Sequence, residues 1–260
     1  FSEIENISSQ HIERICDSKV STRCNIKERE QGELAFFIGL LLTRVPSFRD
    51  PINKLNGEIV TKTLRDLYNR DSLPNIPDCL NMLIKEKGIE NVIKGEIHPF
   101  VSLEPMVVAA REIALTFLQK NWLFYKAKPK NLFITSDNPV AFNFSNRNIF
   151  GGPAHPLSSI TVTLSKDVCL TITPNASSSV TFSDSCNMNM YEASSSMISE
   201  INKLVICAAD QYVYLSEKNE NVRLQVSKYK NTYQKIDMES PNKKTYSIIK
   251  NPYLKSLKGS

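Results

Sequence analysis

The sequence predicts an α+β fold in which an N-terminal helical half packs on a mostly antiparallel C-terminal sheet. Two observations carry that expectation. Apolar residues recur at spacings of three and four through the first 120 positions, and aromatic and alternating apolar segments follow. Helices first and strands later argue for α+β rather than for a doubly wound α/β sheet.

The elements follow in order. Residues 4–16 carry Ile4, Ile7, Ile12 and Ile15 in a weak helical pattern. The clearest helix spans 27–45, where Leu34, Phe37, Ile38, Leu41, Leu42 and Val45 form one apolar face. Pro46 disfavours helical geometry at Val45 and ends it. Residues 57–69 and 77–86 are shorter candidates. A further helix runs over 103–120, with Ser102 as cap and Pro105 tolerated in the first turn, where its missing amide has no intrahelical acceptor. Strands are expected at 122–127, 132–135, 140–144, 160–164 and 167–173. Residues 146–158, marked by Gly151-Gly152-Pro153, and 174–185 read as loops. A late helix is expected over 188–209 and a closing strand over 211–216.

The chain has 260 residues, 41% hydrophobic and 23% charged, enough to bury a core in one domain with an appendage. It opens on Phe rather than Met, so it reads as a piece of a longer product. The longest apolar run covers nine residues, 34–42. A bilayer-spanning helix needs roughly 20, so no span is expected. Six cysteines form no C-x-x-C pair, and most lie among apolar neighbours; they read as buried thiols of a cytoplasmic protein. Three Asn-x-Ser sequons, at Asn6, Asn143 and Asn175, carry little weight for secretion.

Charge is uneven. Residues 1–215 hold 22 Lys and Arg against 23 Asp and Glu; residues 216–260 hold 10 against 4. The excess of +6 in the C-terminal stretch is interleaved with Tyr229, Tyr233, Tyr246 and Tyr253. Such a stretch is either a solvated, partly disordered extension or a footprint for nucleic acid. The expected division is therefore one α+β domain over 1–216 and a basic extension over 217–260.

No Gly-rich phosphate loop, nucleophile elbow or H-E-x-x-H is present, so no cofactor is assigned. His11, His98 and His155 have no metal-ligand spacing, and no metal site is assigned. The densest polar cluster is at a strand end, in Phe133-Ile134-Thr135-Ser136-Asp137-Asn138-Pro139-Val140. Loops at strand ends are where a rigid scaffold aims functional side chains.

That run, preceded by Trp122, resembles the W…F-I-T-S-D-N-P-V signature of the domain-of-unknown-function family 4238. The helix from Glu33 through Phe36-Phe37-Ile38 to Arg44-Val45-Pro46 is similar to the family's E…F-I…R-x-P helix. Asn202, Ala209 and Val213-Tyr214 resemble its late N…A…V-Y element. The resemblance covers residues 1–216 and implies a fold and a residue set, with no established activity. Two departures stand out. The family's P-L-S-P strand is Thr163-Leu164-Ser165-Lys166 here, and the family's leading H-x-x-P segment is missing.

Asp137 has the chemistry of a general base or cation ligand, and Asn138 and Ser136 that of ligand orienters; all three are equally good turn formers beside Pro139. Glu33 and Arg44 are eleven residues apart, on one helix face but separated by ~16 Å, so each should reach its own partner in the sheet. Arg44 ends an apolar stripe, where a desolvated charge needs a counter-charge. Asp137 is the expected one, as a buried bridge or as half of a phosphate fork. Asn202, unfavourable inside a helix, should bond either a ligand or the 136–139 turn. The expected function is a polar site at the helix–sheet junction that binds or hydrolyses a phosphate-containing ligand or nucleic acid, with Asp137 and Arg44 as catalytic candidates. Glu33, Ser136, Asn138 and Asn202 are its ligand-binding candidates. The alternative is an interaction module that uses the basic tail.

Overall fold

The computed structural model describes residues 2–72, 76–92, 98–129, 131–144, 158–175, 185–230, 236–239 and 245–248. The expected loop at 146–157, with His155, lies outside them, as do Tyr233 and Tyr253. The order is α1 (Ser2–Cys16), β1 (Arg23–Lys27), α2 (Glu28–Thr43), α3 (Pro46–Asn69), α4 (Asp78–Lys87) and α5 (Ile89–Val92). A 3-10 turn (Pro99–Ser102) leads into α6 (Leu103–Leu118). Then come β2 (Asn121–Lys126), β3 (Thr135–Ser136), β4 (Val140–Phe144), β5 (Ser158–Thr163), β6 (Val168–Thr173) and β7 (Ser185–Glu192). The last elements are α7 (Ser195–Ala208), β8 (Val213–Tyr214), α8 (Glu220–Tyr229), β9 (Ile236–Glu239) and β10 (Thr245–Ile248). The fold is α+β.

Six strands form one sheet in the order β1-β7-β2-β6-β5-β4. Every pairing is antiparallel except β2 with β7. The side-chain period of two splits the sheet's faces. Phe124, Val140, Phe142, Val168, Leu170 and Ile172 point into one core with Leu34, Ile38 and Phe117 from α2 and α6. The intervening Ala141 and Cys169 point the other way, toward α7. The late helix therefore covers the face opposite the N-terminal helices, and the sheet is buried on both sides at Ala141 and Cys169 of β4 and β6.

α2 starts where Glu30 turns back to accept the Lys27 N–H at 3.1 Å, and it ends before Pro46, which takes the first position of α3. Pro at that position costs no hydrogen bond. α3 thus begins eleven residues before the expected start at 57. Gly39 lets α2 approach α6: a Cβ there would lie 2.4 Å from the carbonyl oxygen of Ala110. α6 hands over to the sheet at Trp122, whose indole N–H donates to the Phe117 carbonyl at 2.9 Å.

The expected helix over 188–209 is two elements. Met188 and Met190 are buried while Asn189 is exposed, a strand's alternation, and this segment is β7, between β1 and β2. The helix begins only after Ser194, whose Oγ accepts the Met197 N–H at 3.2 Å. β1, unanticipated, forms because β7 offers it an edge. The expected strand at 132–135 is reduced to Thr135–Ser136, paired with β8 in a separate two-stranded ribbon. Beyond it, α8 packs on α7 through Val222, 6% exposed, and β9 and β10 form an antiparallel hairpin.

Among the described residues no helix is long and apolar enough to cross a membrane. Cys24 and Cys169 are buried free thiols, whereas Cys79 is exposed. Burial raises the Cys169 thiol pKa, which keeps it protonated and inert.

Candidate functional site

The segment 132–139 leaves the sheet ladder, so its backbone polar groups need other partners. Side chains supply them. The Asn202 carboxamide accepts the Ile134 N–H at 3.1 Å and donates to the Leu132 carbonyl at 3.0 Å. It acts as a strand neighbour delivered from a helix, and its own burial, 3% exposed, is compensated. Phe133 N–H donates to the Lys166 carbonyl, and the Thr163 hydroxyl to the Ile134 carbonyl.

Asp137 faces the chain that leaves α7. Its Oδ1 accepts the Asp210 N–H at 2.9 Å, and its Oδ2 accepts those of Gln211 at 2.6 Å and Tyr212 at 3.0 Å. One carboxylate therefore collects three successive amides at the helix exit. Asn138 is fully buried and donates from Nδ2 to the Ala208 carbonyl at 2.9 Å. That carbonyl belongs to the last turn of α7, where the helix leaves carbonyls unpaired. The Asn138 Oδ1 is buried with no hydrogen-bond partner. Ser136 Oγ donates to the Asn138 carbonyl at 2.8 Å, closing the turn. Ser136, Asp137, Asn138 and Asn202 are thus brought together, as a latch that ties the β3–β4 corner to both ends of the 202–214 segment.

Arg44 is placed differently from the expectation. Its side chain is 51% exposed and pairs with Glu5 of α1 at 3.1 Å rather than with Asp137. α2 ends at Thr43, and the Arg44 guanidinium just beyond it reaches solvent and needs no buried counter-charge. Glu33 also finds no partner in the sheet. It bonds His11 of α1 at 2.6 Å and Arg29 at 2.9 Å. These bonds, His11 first, hold its carboxyl pKa below the usual range. Arg14 reaches the other His11 nitrogen at 2.8 Å, so His11 is held on both sides.

Arg44 and Asp137 nevertheless share a cleft of about 470 Å³ between α1, α2 and the β3–β8 ribbon. Ile12, Phe37, Leu41 and Leu164 give it apolar lining, and Thr135, Ser136 and Tyr214 line it beside Arg44 and Asp137. Its size is that of a small-ligand site.

A family model described as a protein of unknown function, DUF4238, matches residues 1–219. The chain belongs to DUF4238. No curated protein and no solved structure matches it. In this DUF4238 domain Ser165, which stands in the altered P-L-S-P run, is a turn residue: its Oγ bonds Asp167 Oδ1 at 2.6 Å and accepts the Val168 N–H at 3.0 Å. His98 likewise accepts the Phe100 N–H at 3.3 Å and caps the 3-10 turn. Among the described residues no group of three or more His, Cys, Asp and Glu is placed to hold a metal ion.

Sequence reasoning missed three features. His11 looked isolated because its partners are Glu33, 22 positions on, and Arg14 on its own helix. Lys120 donates to the Ser158 carbonyl and hydroxyl, both at 2.7 Å, and its burial lowers the ammonium pKa to about 8. Tyr212 and Tyr214 were legible as alternate residues of a strand, which places both rings on one side.

Proposed function

We propose that this domain binds a small phosphate-containing ligand in the cleft between α1, α2 and the β3–β8 ribbon. The supporting observation is that Arg44, Thr135 and Tyr214 line, with Asp137, one largely apolar-walled cleft of ligand size. A guanidinium recognises phosphate through paired N–H donors, and the apolar wall takes the rest of the ligand. Arg44 is the ligand contact in this reading. Asp137, Ser136, Asn138 and Asn202 position the cleft's rim, and Glu33 orients α1 through His11. Binding is favoured over hydrolysis, because Asp137 already spends three of its carboxylate's roughly four acceptor sites on the Asp210, Gln211 and Tyr212 amides, whereas a general base needs a lone pair facing its substrate.

Isothermal titration with mononucleotides and sugar phosphates tests it. A ligand should bind, and Arg44→Ala should weaken it at least about tenfold. Stability should change by less than ~1 kcal/mol, since an exposed ion pair contributes little. Absence of binding across the panel, or equal binding by Arg44→Ala, rules the cleft reading out.

A further inference from the structure

Among the described residues α3 is the longest helix, 24 residues, yet it buries none of its side chains completely. Its inward stripe is the half-buried row Asn53, Gly57, Thr61, Leu64 and Tyr68. Most of its large aliphatic side chains lie on the adjoining flank. At about 100° per residue, positions 52, 56, 59, 60, 63 and 67 fall within one sector. Ile59, Val60 and Leu67 of that sector are exposed, Ile59 by 52%.

The flank continues onto α6. Ile59 and Val60 share a groove of about 510 Å³ with Val101, Pro105 and Val108, and Asn56 and Glu104 complete its lining. Val101 and Val108 are 50% and 56% exposed. A large aliphatic side chain carries on the order of 100 Å² of apolar surface. Leu55, Ile59, Val60, Leu67, Val101 and Val108, each about half exposed, therefore present roughly 300 Å² to water. That is the apolar centre of an interface burying about 800 Å² per partner.

The order of residues names the partner. The flank reads Ile52, Asn56, Ile59-Val60, Thr63, Leu67. From either end it is apolar, small polar, apolar pair, small polar, apolar, with the same spacings. A two-fold axis between positions 59 and 60 would set Ile59 against Val60 of a second copy. Asn56 would then meet Thr63 and Ile52 would meet Leu67, so apolar faces apolar and each amide faces a hydroxyl. A two-fold contact needs a patch complementary to itself, and this row is one.

We infer that the α3–α6 face is a two-fold interface between copies of this chain, with α3 lying antiparallel to α3 of the second copy along the groove.

Sedimentation equilibrium of the full chain at micromolar concentrations tests it. The chain should be a dimer, and Ile59→Lys should weaken the dimer at least about tenfold. Val60→Cys, in a Cys79→Ser background, should form a disulfide-linked dimer on mild oxidation, because position 60 lies beside the axis. Lys62→Cys, on the opposite flank, should link far more slowly. The cross-link decides the matter if Ile59→Lys fails to fold. A chain that stays monomeric overturns the inference, whether or not the face then binds lipid vesicles or another protein. A dimer that ignores Ile59→Lys, or links no faster through position 60 than through 62, uses another face and also overturns it.

Discussion

Asp137 and Tyr212 hold each other twice: the Asp137 N–H donates to the Tyr212 carbonyl at 3.1 Å, and the Tyr212 N–H donates to Asp137 Oδ2 at 3.0 Å. Backbone and side chain of one residue thereby fix the direction in which the chain leaves α7. The most conspicuous acid of the signature run is an anchor, and the exposed rings at 212 and 214 inherit their placement from it.

Removing that anchor should be costly. Hydrogen bonds to a charged group contribute about 1.5–3 kcal/mol each where shielded, and two of these three amides are solvent-exposed. Asp137→Ala should therefore destabilise by ~2–3 kcal/mol in urea unfolding, with Asp137→Asn intermediate. A loss below ~0.5 kcal/mol would show that water replaces the carboxylate and that the latch is ornamental to stability.

Asn202 should tolerate no apolar replacement. Asn202→Leu fills the space but strands the Ile134 N–H and the Leu132 carbonyl beside the core. Two unsatisfied groups at about 1–3 kcal/mol each predict a loss of ~2–4 kcal/mol. Thermal unfolding would reveal it, and a melting temperature equal to wild type would mean that the 132–134 segment finds other partners.

Two glycines of α2 should respond with opposite sign. At Gly32 a Cβ meets nothing within 4 Å, so Gly32→Ala should stabilise by ~0.5–1 kcal/mol through helix propensity. At Gly39 the Cβ meets the Ala110 backbone oxygen at 2.4 Å, which cannot swing aside. Gly39→Ala should destabilise by ~1–3 kcal/mol despite the same propensity gain. Paired denaturant titrations decide, and the same sign at both positions would refute the close α2–α6 approach.

Lys120 predicts a pH signature. Burial lowers its folded-state pKa from 10.5 to about 8. Between those values the unfolded chain binds more protons than the folded one, so this group's contribution to stability rises with pH across the window. Below pH 8 the burial penalty is fully present. Cys16, Cys169 and Tyr125 have raised pKa values and act in the opposite sense at alkaline pH. The readout is therefore the difference between wild type and Lys120→Met, which should move in favour of wild type from pH 7.5 toward pH 10. A flat difference would mean that Lys120 is as well hydrated folded as unfolded.

Much of the architecture could be read from residue order. The apolar stripe of α2, the stop at Pro46, the start of α6 and the pattern of β2, β4, β5 and β6 are local. A helix or strand with one or two buried faces writes its period into its own residues. Where the period was read wrongly, at Met188 and Met190, the alternation was present but a helix-forming residue type and the helix just beyond obscured it. β1 had no such signal, because an edge strand of five residues forms only when a neighbour presents its ladder.

The chain alone also singled out Asp137, Asn138, Ser136 and Asn202 as one polar group, but it joined Arg44 and Glu33 to them, and those two pair with α1 instead. What they do was decided in three dimensions. Asp137 meets amides 73 to 75 positions away, and Arg44 meets Glu5 rather than that acid. Partners at such separations are chosen by how α1 and α7 settle on opposite faces of the sheet. Side-chain charge has range but no address, and only packing supplies one.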